Sequence, residues 1–235
     1  MEIDKDDREA LFREKPDATE ADLERLRQGE PLAYVIGNQP FLGLTINLAS
    51  RPLIPRPETE WWTELLIERI GTAPVRVLDL CAGSGAIGLA VLKHCPNAHV
   101  SFGEISAVHT KQIEENITLN RLDAARADIR SGDLFEPFAG ERLDFIAANP
   151  PYIPERRPLD TNVTEYEPAE ALFAGEDGLS VIRRIAAEAA AYLRPTGEVW
   201  IECDIDNIEA AASLFPHPTI HTDPYGRPRL LVAYY

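Results

Sequence analysis

Residues 77–90 read VLDLCAGSGAIGLA. Val77–Leu80 is an apolar run broken only by Asp79, and Ala86–Ala90 is a second run made of small and aliphatic residues. Cys81–Gly85 joins them through two glycines. A strand passing through a glycine turn into a helix is the opening unit of an open parallel sheet, where ligands sit at the carboxyl ends of strands against helix amino termini. Gly83 and Gly85 let the backbone approach a ligand, and Gly88 lets the helix lie close on the sheet.

The same alternation continues on both sides of this stretch. Val75–Asp79 reads as a buried strand, Ala86–His94 as a helix, Ala98–Phe102 as a strand, and Ser106 caps a helix reaching about Asn120. Asp144–Ala148 is another strand, Leu179–Leu193 an alanine-rich helix ended by Pro195 and Gly197, and Glu198–Glu202 a strand. The tail, TIHTDPYGRPRLLVAYY, reads as two strands around a Pro-Tyr-Gly turn. Upstream, Pro57 opens a helix with Glu58 and Glu60 in its first turn. AYVIGNQPFLGLTINL reads as a hairpin turning at Gly37-Asn38, and Asp17 with Glu20 has the spacing of a capping box. Alternating strands and helices predict an α/β fold, Rossmann-like, with a mostly parallel twisted sheet, helices on both faces and a terminal antiparallel pair. The organisation expected is a short helical segment over residues 1–28, a hairpin and linking helix over 29–70, and the sheet domain over 71–235.

Composition narrows the function. The amino-terminal MEIDKDDREALFREK has no apolar core of a signal peptide, and no apolar run approaches the ~18 residues of a membrane span. Cys81, Cys95 and Cys203 lack metal-site spacing, so no metal site is expected, and an odd few cysteines suits a reducing, cytoplasmic setting. A net charge of −16 repels a phosphate backbone and argues against a nucleic-acid partner. Arg56, Arg156 and Arg157 are the residues that could still form a local basic patch.

Residues 83–88 match G-x-G-x-x-G, which fits NAD as well as S-adenosylmethionine (SAM). Glu104, at the end of the second strand, suits the ribose of either. Two carboxylates favour SAM: Asp79, placed to face the ammonium of a methionine moiety where a pyrophosphate would be repelled, and Asp133, placed to accept from an adenine amino group.

Asn149-Pro150-Pro151-Tyr152 follows directly on the strand Asp144–Ala148. Proline cannot donate to a sheet ladder, so the strand stops there in a stiff turn. A planar NH2 group, whose lone pair is delocalised, needs both hydrogens held and its lone pair aimed at an electrophile. The Asn149 side-chain oxygen and the Pro150 carbonyl are two such acceptors, and Tyr152 packs on the planar group. Adenine and a glutamine amide present the same two hydrogens, so the tetrapeptide alone does not choose between them.

With both motifs in place, the chain from about Gly29 to Tyr235 resembles the HemK/PrmC-like family, the peptide-chain-release-factor glutamine N5-methyltransferases. GEPLAYVIGNQPFLGLTINL and LIPRPETE are similar to that family's lead-in, and NPPYIP, EPAEALFAGEDGL and GRPRLLVAYY continue the match in order. The resemblance implies a class I SAM-dependent methyltransferase whose substrate is a glutamine in the Gly-Gly-Gln loop of a release factor. It also implies a cofactor site lined by Cys81, Ala82, Gly83, Ser84, Gly85, Glu104, Leu134 and Asn149, with Asn149, Pro150, Pro151 and Tyr152 holding the glutamine. Departures are Cys81-Ala82 where the family often has Gly-Thr, Glu202-Cys203-Asp204 where it usually shows Glu-x-Gly, and a short segment before Gly29 in place of a longer helical one. Two other functions compete. An amino-methylase on nucleic acid is opposed by the acidity, and a non-catalytic SAM-binding partner by the intact Asn149–Tyr152.

Overall fold

The structure, a computed structural model, describes residues 3–235. Met1 and Glu2, part of the segment expected over 1–28, lie outside the described residues. Three helices come first, α1 (Lys5–Glu14), α2 (Glu20–Arg27) and α3 (Leu32–Ile36), gathered on a small cluster of Leu11, Leu23, Leu26 and Val35. The capping box of α2 is Thr19 with Asp22, a correction to the Asp17–Glu20 pair. Because α2 begins at Glu20, the cap position is Thr19, and both its N–H and its hydroxyl donate to Asp22 Oδ2, at 2.8 and 3.0 Å.

The hairpin is β1 (Asn38–Phe41) with β2 (Leu44–Asn47), and it turns at Leu42-Gly43, not at Gly37-Asn38. Leu42 and Gly43 both have positive φ, 45° and 74°, as a tight two-residue hairpin requires. Gly37 ends α3 instead, in the left-handed conformation. Then α4 (Pro57–Ile70) starts at Pro57 as expected.

The remaining elements are β3 (Arg76–Leu80), α5 (Ala86–His94), β4 (His99–Glu104), α6 (Ala107–Leu119), β5 (Ala127–Ser131), β6 (Leu143–Ala148), α7 (Thr161–Tyr166), α8 (Ser180–Tyr192), β7 (Leu193–Glu202), α9 (Ile208–Ala212), β8 (Pro218–Thr222) and β9 (Pro228–Tyr234). β5, α7 and α9 were not anticipated. β5 is a half-exposed edge strand, ADIRS, whose apolar alternation is only Ala127 and Ile129, and α7 and α9 are too short to show a helical period. α8 passes into β7 without a loop, so Pro195 and Gly197 fall in the irregular start of that strand.

The seven-stranded sheet has the order β5-β4-β3-β6-β7-β9-β8. Its first five strands are parallel, and β9 is antiparallel to both β7 and β8. Alternate residues of each strand feed two cores. One face, with Val77, Phe145 and Trp200, packs under α4, α5, α6 and the hairpin; the other, with Leu78, Ile146 and Ile201, packs under α8 and α9. Gly88 is what lets α5 ride this close: a Cβ there would lie 2.3 Å from the Phe102 ring. The chain moves outward from β3 to β5 and then returns to β6 on the other side of β3, so the strand order reverses there. In open α/β sheets the ligand crevice lies at that reversal.

Candidate active site

A cavity of about 230 Å³ opens over the carboxyl ends of β3, β4, β5 and β6. Its walls include Cys81, Gly83, Glu104, Ile105, Asp133, Leu134, Asn149 and Pro151. Glu104 is built in: Gly83 N–H donates to its Oε2 at 2.8 Å and Ser106 N–H to its Oε1 at 2.9 Å. Each carboxylate oxygen keeps a further lone pair for a ligand. Gly83 has φ 54°, and a Cβ there would project into open space on this cavity. Asp133 stands on the wall in an ion pair with Arg184, 2.7 Å. Burial pushes the Cys81 thiol up, so it remains a neutral wall group. Two carboxylates on the wall, an exposed apolar Ile105 and an open glycine backbone fit an adenosine-bearing ligand such as SAM.

Asp79 is placed differently from its sequence reading. It is fully buried beneath the glycine turn, faces none of the cavities described here, and accepts from Gly88 N–H at 2.8 Å through Oδ2. Burial above all, with the Glu104 charge adding, pushes its pKa up to about 8 against that hydrogen bond. A carboxyl so placed holds its proton more tightly than an exposed one, and it does not reach the cavity to face an ammonium.

Two smaller cavities meet the first at Asn149. One, about 100 Å³, is lined by Leu53, Arg56, Tyr152, Leu159, Val163 and Leu172 beside Asn149. The other, about 40 Å³, lies over Ala82, Gly83 and Ser84 and under Thr59. Gly85 lines none of the three; it is the N-terminal cap residue of α5. Asn149 thus stands in a wall common to all three. Its Nδ2 donates to Thr59 Oγ1 at 3.1 Å, and among the described residues nothing donates to its Oδ1 or to the Pro150 carbonyl.

The turn that carries these groups is clamped on both sides. Ile153 N–H donates to Leu172 O at 2.9 Å and Ala174 N–H to Ile153 O at 3.0 Å. Asn207 Nδ2 holds the Tyr152 carbonyl at 3.0 Å, and Arg157 reaches Asp204 and Asp206 at 2.8 and 2.6 Å. The Tyr152 hydroxyl donates to Glu202 Oε1 at 3.0 Å, while Thr59 Oγ1 and Trp62 Nε1 donate to Glu202 Oε2, each at 2.7 Å. Burial pushes the Glu202 carboxyl up, and these three donors oppose the shift. Burial and the Glu202 charge push the Tyr152 phenol well up, so it stays a donor. Thr59, Trp62, Glu202 and Ile105 were not singled out as site residues by sequence reasoning. For the first three, the partners lie 50 to 143 residues apart along the chain, and only Ile105, directly after Glu104, carried a local signal.

The three arginines do not form a free basic patch. Arg56 is ion-paired with buried Glu167, Arg157 with Asp204 and Asp206, and Arg156 lies 3.7 Å from Glu176 on open surface. Among the described residues no helix is long and apolar enough to cross a membrane.

Comparison with known proteins agrees with this fold. A family model described as the methyltransferase small domain matches residues 58–166. A release factor glutamine methyltransferase from Mycolicibacterium smegmatis is 35% identical over 209 residues, covering 86% of this chain and 74% of its own. One from Bordetella pertussis is 41% identical over 189 residues, covering 79% and 69%. The crystal structure of a methyltransferase from Pyrococcus furiosus superposes with a TM-score of 0.61 over 82% of this chain and 89% of its own, at 16% identity, which speaks to the fold alone.

Proposed function

Because the chain belongs to the release factor glutamine methyltransferases, we propose that the cavity over the glycine turn holds SAM and that the cavity behind Tyr152 admits the glutamine side chain of a release factor's Gly-Gly-Gln loop. The protein is a SAM-dependent methyltransferase acting on a release-factor glutamine. SAM supplies a methyl group made electrophilic by its sulfonium. The residues of this chain bind and aim. Glu104 accepts from the ribose hydroxyls, Asp133 faces the adenine amino end, and the backbone of Cys81–Ser84 lies along the methionine portion. Asn149 Oδ1 and the Pro150 carbonyl each accept one N–H of the glutamine amide. With both hydrogens held in the amide plane, the nitrogen's lone pair points out of that plane, and Tyr152 and Pro151 keep the plane fixed. Alignment of this kind lowers a barrier by several kcal/mol, roughly. A methylated amide nitrogen that still carries both hydrogens is strongly acidic, so it releases one along its hydrogen bond without a dedicated base.

The observation that carries this reading is Asn149, standing with an unengaged oxygen in the wall shared by the cofactor-sized and the side-chain-sized cavity. The test is incubation with methyl-labelled SAM and an intact release factor, followed by peptide mapping of the label. Label on the loop glutamine is expected, and Asn149→Ala should cut kcat by roughly 10²–10³, the scale for one preorganised polar group. Its SAM affinity should stay within about tenfold, since the other contacts with the cofactor remain. Label elsewhere, or normal transfer by Asn149→Ala, would overturn the assignment.

A further inference from the structure

We propose that Glu202 is a positioning residue for methyl transfer: acting through the Thr59 hydroxyl, it fixes the Asn149 amide so that Oδ1, and not Nδ2, faces the acceptor nitrogen. The inference rests on the reading of Asn149 given above and extends it to residues that touch neither ligand.

The argument follows hydrogens along a chain of three side chains. Glu202 is 1% exposed at the end of β7. Trp62 Nε1 is only ever a donor, and it lies 2.7 Å from Glu202 Oε2, so that oxygen accepts. Thr59 Oγ1 lies 2.7 Å from the same oxygen. A hydroxyl has one hydrogen, and here it goes to Glu202; what Thr59 has left is lone pairs. The group facing those lone pairs must therefore be a donor, and Asn149 offers Nδ2 at 3.1 Å. Turning the amide over would set Oδ1 against the Thr59 lone pairs with no hydrogen between them, and would point an N–H at the substrate's own N–H. The direction of every bond in the chain is thus set by the buried carboxylate.

The placement of the three groups is equally determined. Thr59 is in the first turn of α4 and Trp62 is three residues on, on the same helical face. The Thr63 hydroxyl donates to the Thr59 carbonyl at 2.7 Å, which knits that turn. Tyr152 occupies the other oxygen, Oε1, so the acceptor role of Oε2 is left to Thr59 and Trp62. Glu202 is also the one residue of Glu202-Cys203-Asp204 that lies in this network, while Asp204 beside it holds Arg157 of the Asn149 turn.

The experiment compares wild type with Thr59→Val, Thr59→Ser and Glu202→Leu. Valine keeps the shape of threonine and deletes the hydroxyl, so Asn149 loses what orients it. Thr59→Val should lower kcat roughly ten- to a hundred-fold, as misplacing a reacting group does. Its KM for the release factor and its SAM dissociation constant should stay within about threefold, since it removes alignment more than binding. Thr59→Ser should restore most of the rate. Glu202→Leu frees the Thr59 hydroxyl to turn and should lose rate at least as heavily; should it fail to fold, the threonine pair still decides the matter. A readout independent of turnover is the side-chain amide resonance pair of Asn149 in 15N-labelled protein without substrate: shifted in Thr59→Val, restored in Thr59→Ser. Unchanged kcat in Thr59→Val, a serine variant no better than the valine one, or an unmoved Asn149 resonance would overturn the proposal. If wild type instead labels some other acceptor, the substrate assignment fails while the Asn149 resonances still judge the relay.

Discussion

Asp79 and Glu202 are buried carboxyl groups at the ends of neighbouring parts of one sheet, and they share a face. Asp79 is in register with Ala147, Ala147 with Trp200, and Glu202 is two residues beyond. Burial raises both. Their partners differ. Asp79 receives one backbone N–H, and its Oδ1 is enclosed with no partner; Glu202 receives three side-chain donors over both oxygens. An acid at a strand end is easily read as a charge presented to a ligand. Whether it is one depends on donors contributed by the rest of the fold, and here the residue with the conspicuous motif position is the one left with an unpartnered oxygen.

The largest expected effect is the difference between deleting the two carboxyl groups. Glu202→Leu strands the Thr59, Trp62 and Tyr152 donors, whereas Asp79→Leu strands only the Gly88 N–H. At about 1–3 kcal/mol for each buried group left unsatisfied, the glutamate variant should lose several times more unfolding free energy. Urea unfolding at one pH measures it. Equal losses would mean that the donor count does not distinguish the two sites.

A third strand-end acid lies between these cases. Glu104 is held by two backbone donors yet still lines the cavity. Glu104→Ala should weaken SAM binding by roughly 1.5–3 kcal/mol, the range for hydrogen bonds to a charged group. Titration calorimetry reads this directly, and SAM affinity within twofold of wild type would remove Glu104 from the cofactor contacts.

What the sequence made legible divides along the same line. Ala86–His94 is a helix to the residue, because a glycine turn and an apolar run are local signals, and Gly83, Glu104 and Asn149, which line the cavity, carried signals of the same local kind. The hairpin turn was misplaced because Gly37 can end a helix as readily as it can turn a strand, and the positive φ of Leu42 has no sequence signature. β5 was missed because its apolar face is only two residues, Ala127 and Ile129, too short a run to mark a strand. The Glu202–Thr59–Asn149 chain was out of reach altogether. Its links join residues 143 and 90 positions apart, and no spacing rule connects a helix's first turn to the end of a strand so distant. The burial of Asp79 went unread for the same reason, since burial on both sides of a strand is a property of the assembled sheet.

The last comparison reads a slope with pH in place of a single loss, and it isolates the ionisation of Asp79. Asp79→Asn keeps an oxygen for the Gly88 N–H and removes the titrating proton. In the unfolded chain Asp79 has its ordinary value of 3.8; in the folded protein it is raised to about 8. The folded state therefore binds the proton more tightly, and the stability this confers is complete below the unfolded value and is lost as pH rises towards the folded one. Through the interval between them, wild-type unfolding free energy should fall with pH by no more than about 1.4 kcal/mol per unit from this group alone. Asp79→Asn should lack that component, so its advantage over wild type should grow from pH 5 to pH 8 and then level off. Urea midpoints at constant ionic strength across that range provide the measurement. Parallel wild-type and Asp79→Asn curves would mean that Asp79 is ionised in the folded protein, restoring it as a charge beneath the glycine turn and removing its contrast with Glu202.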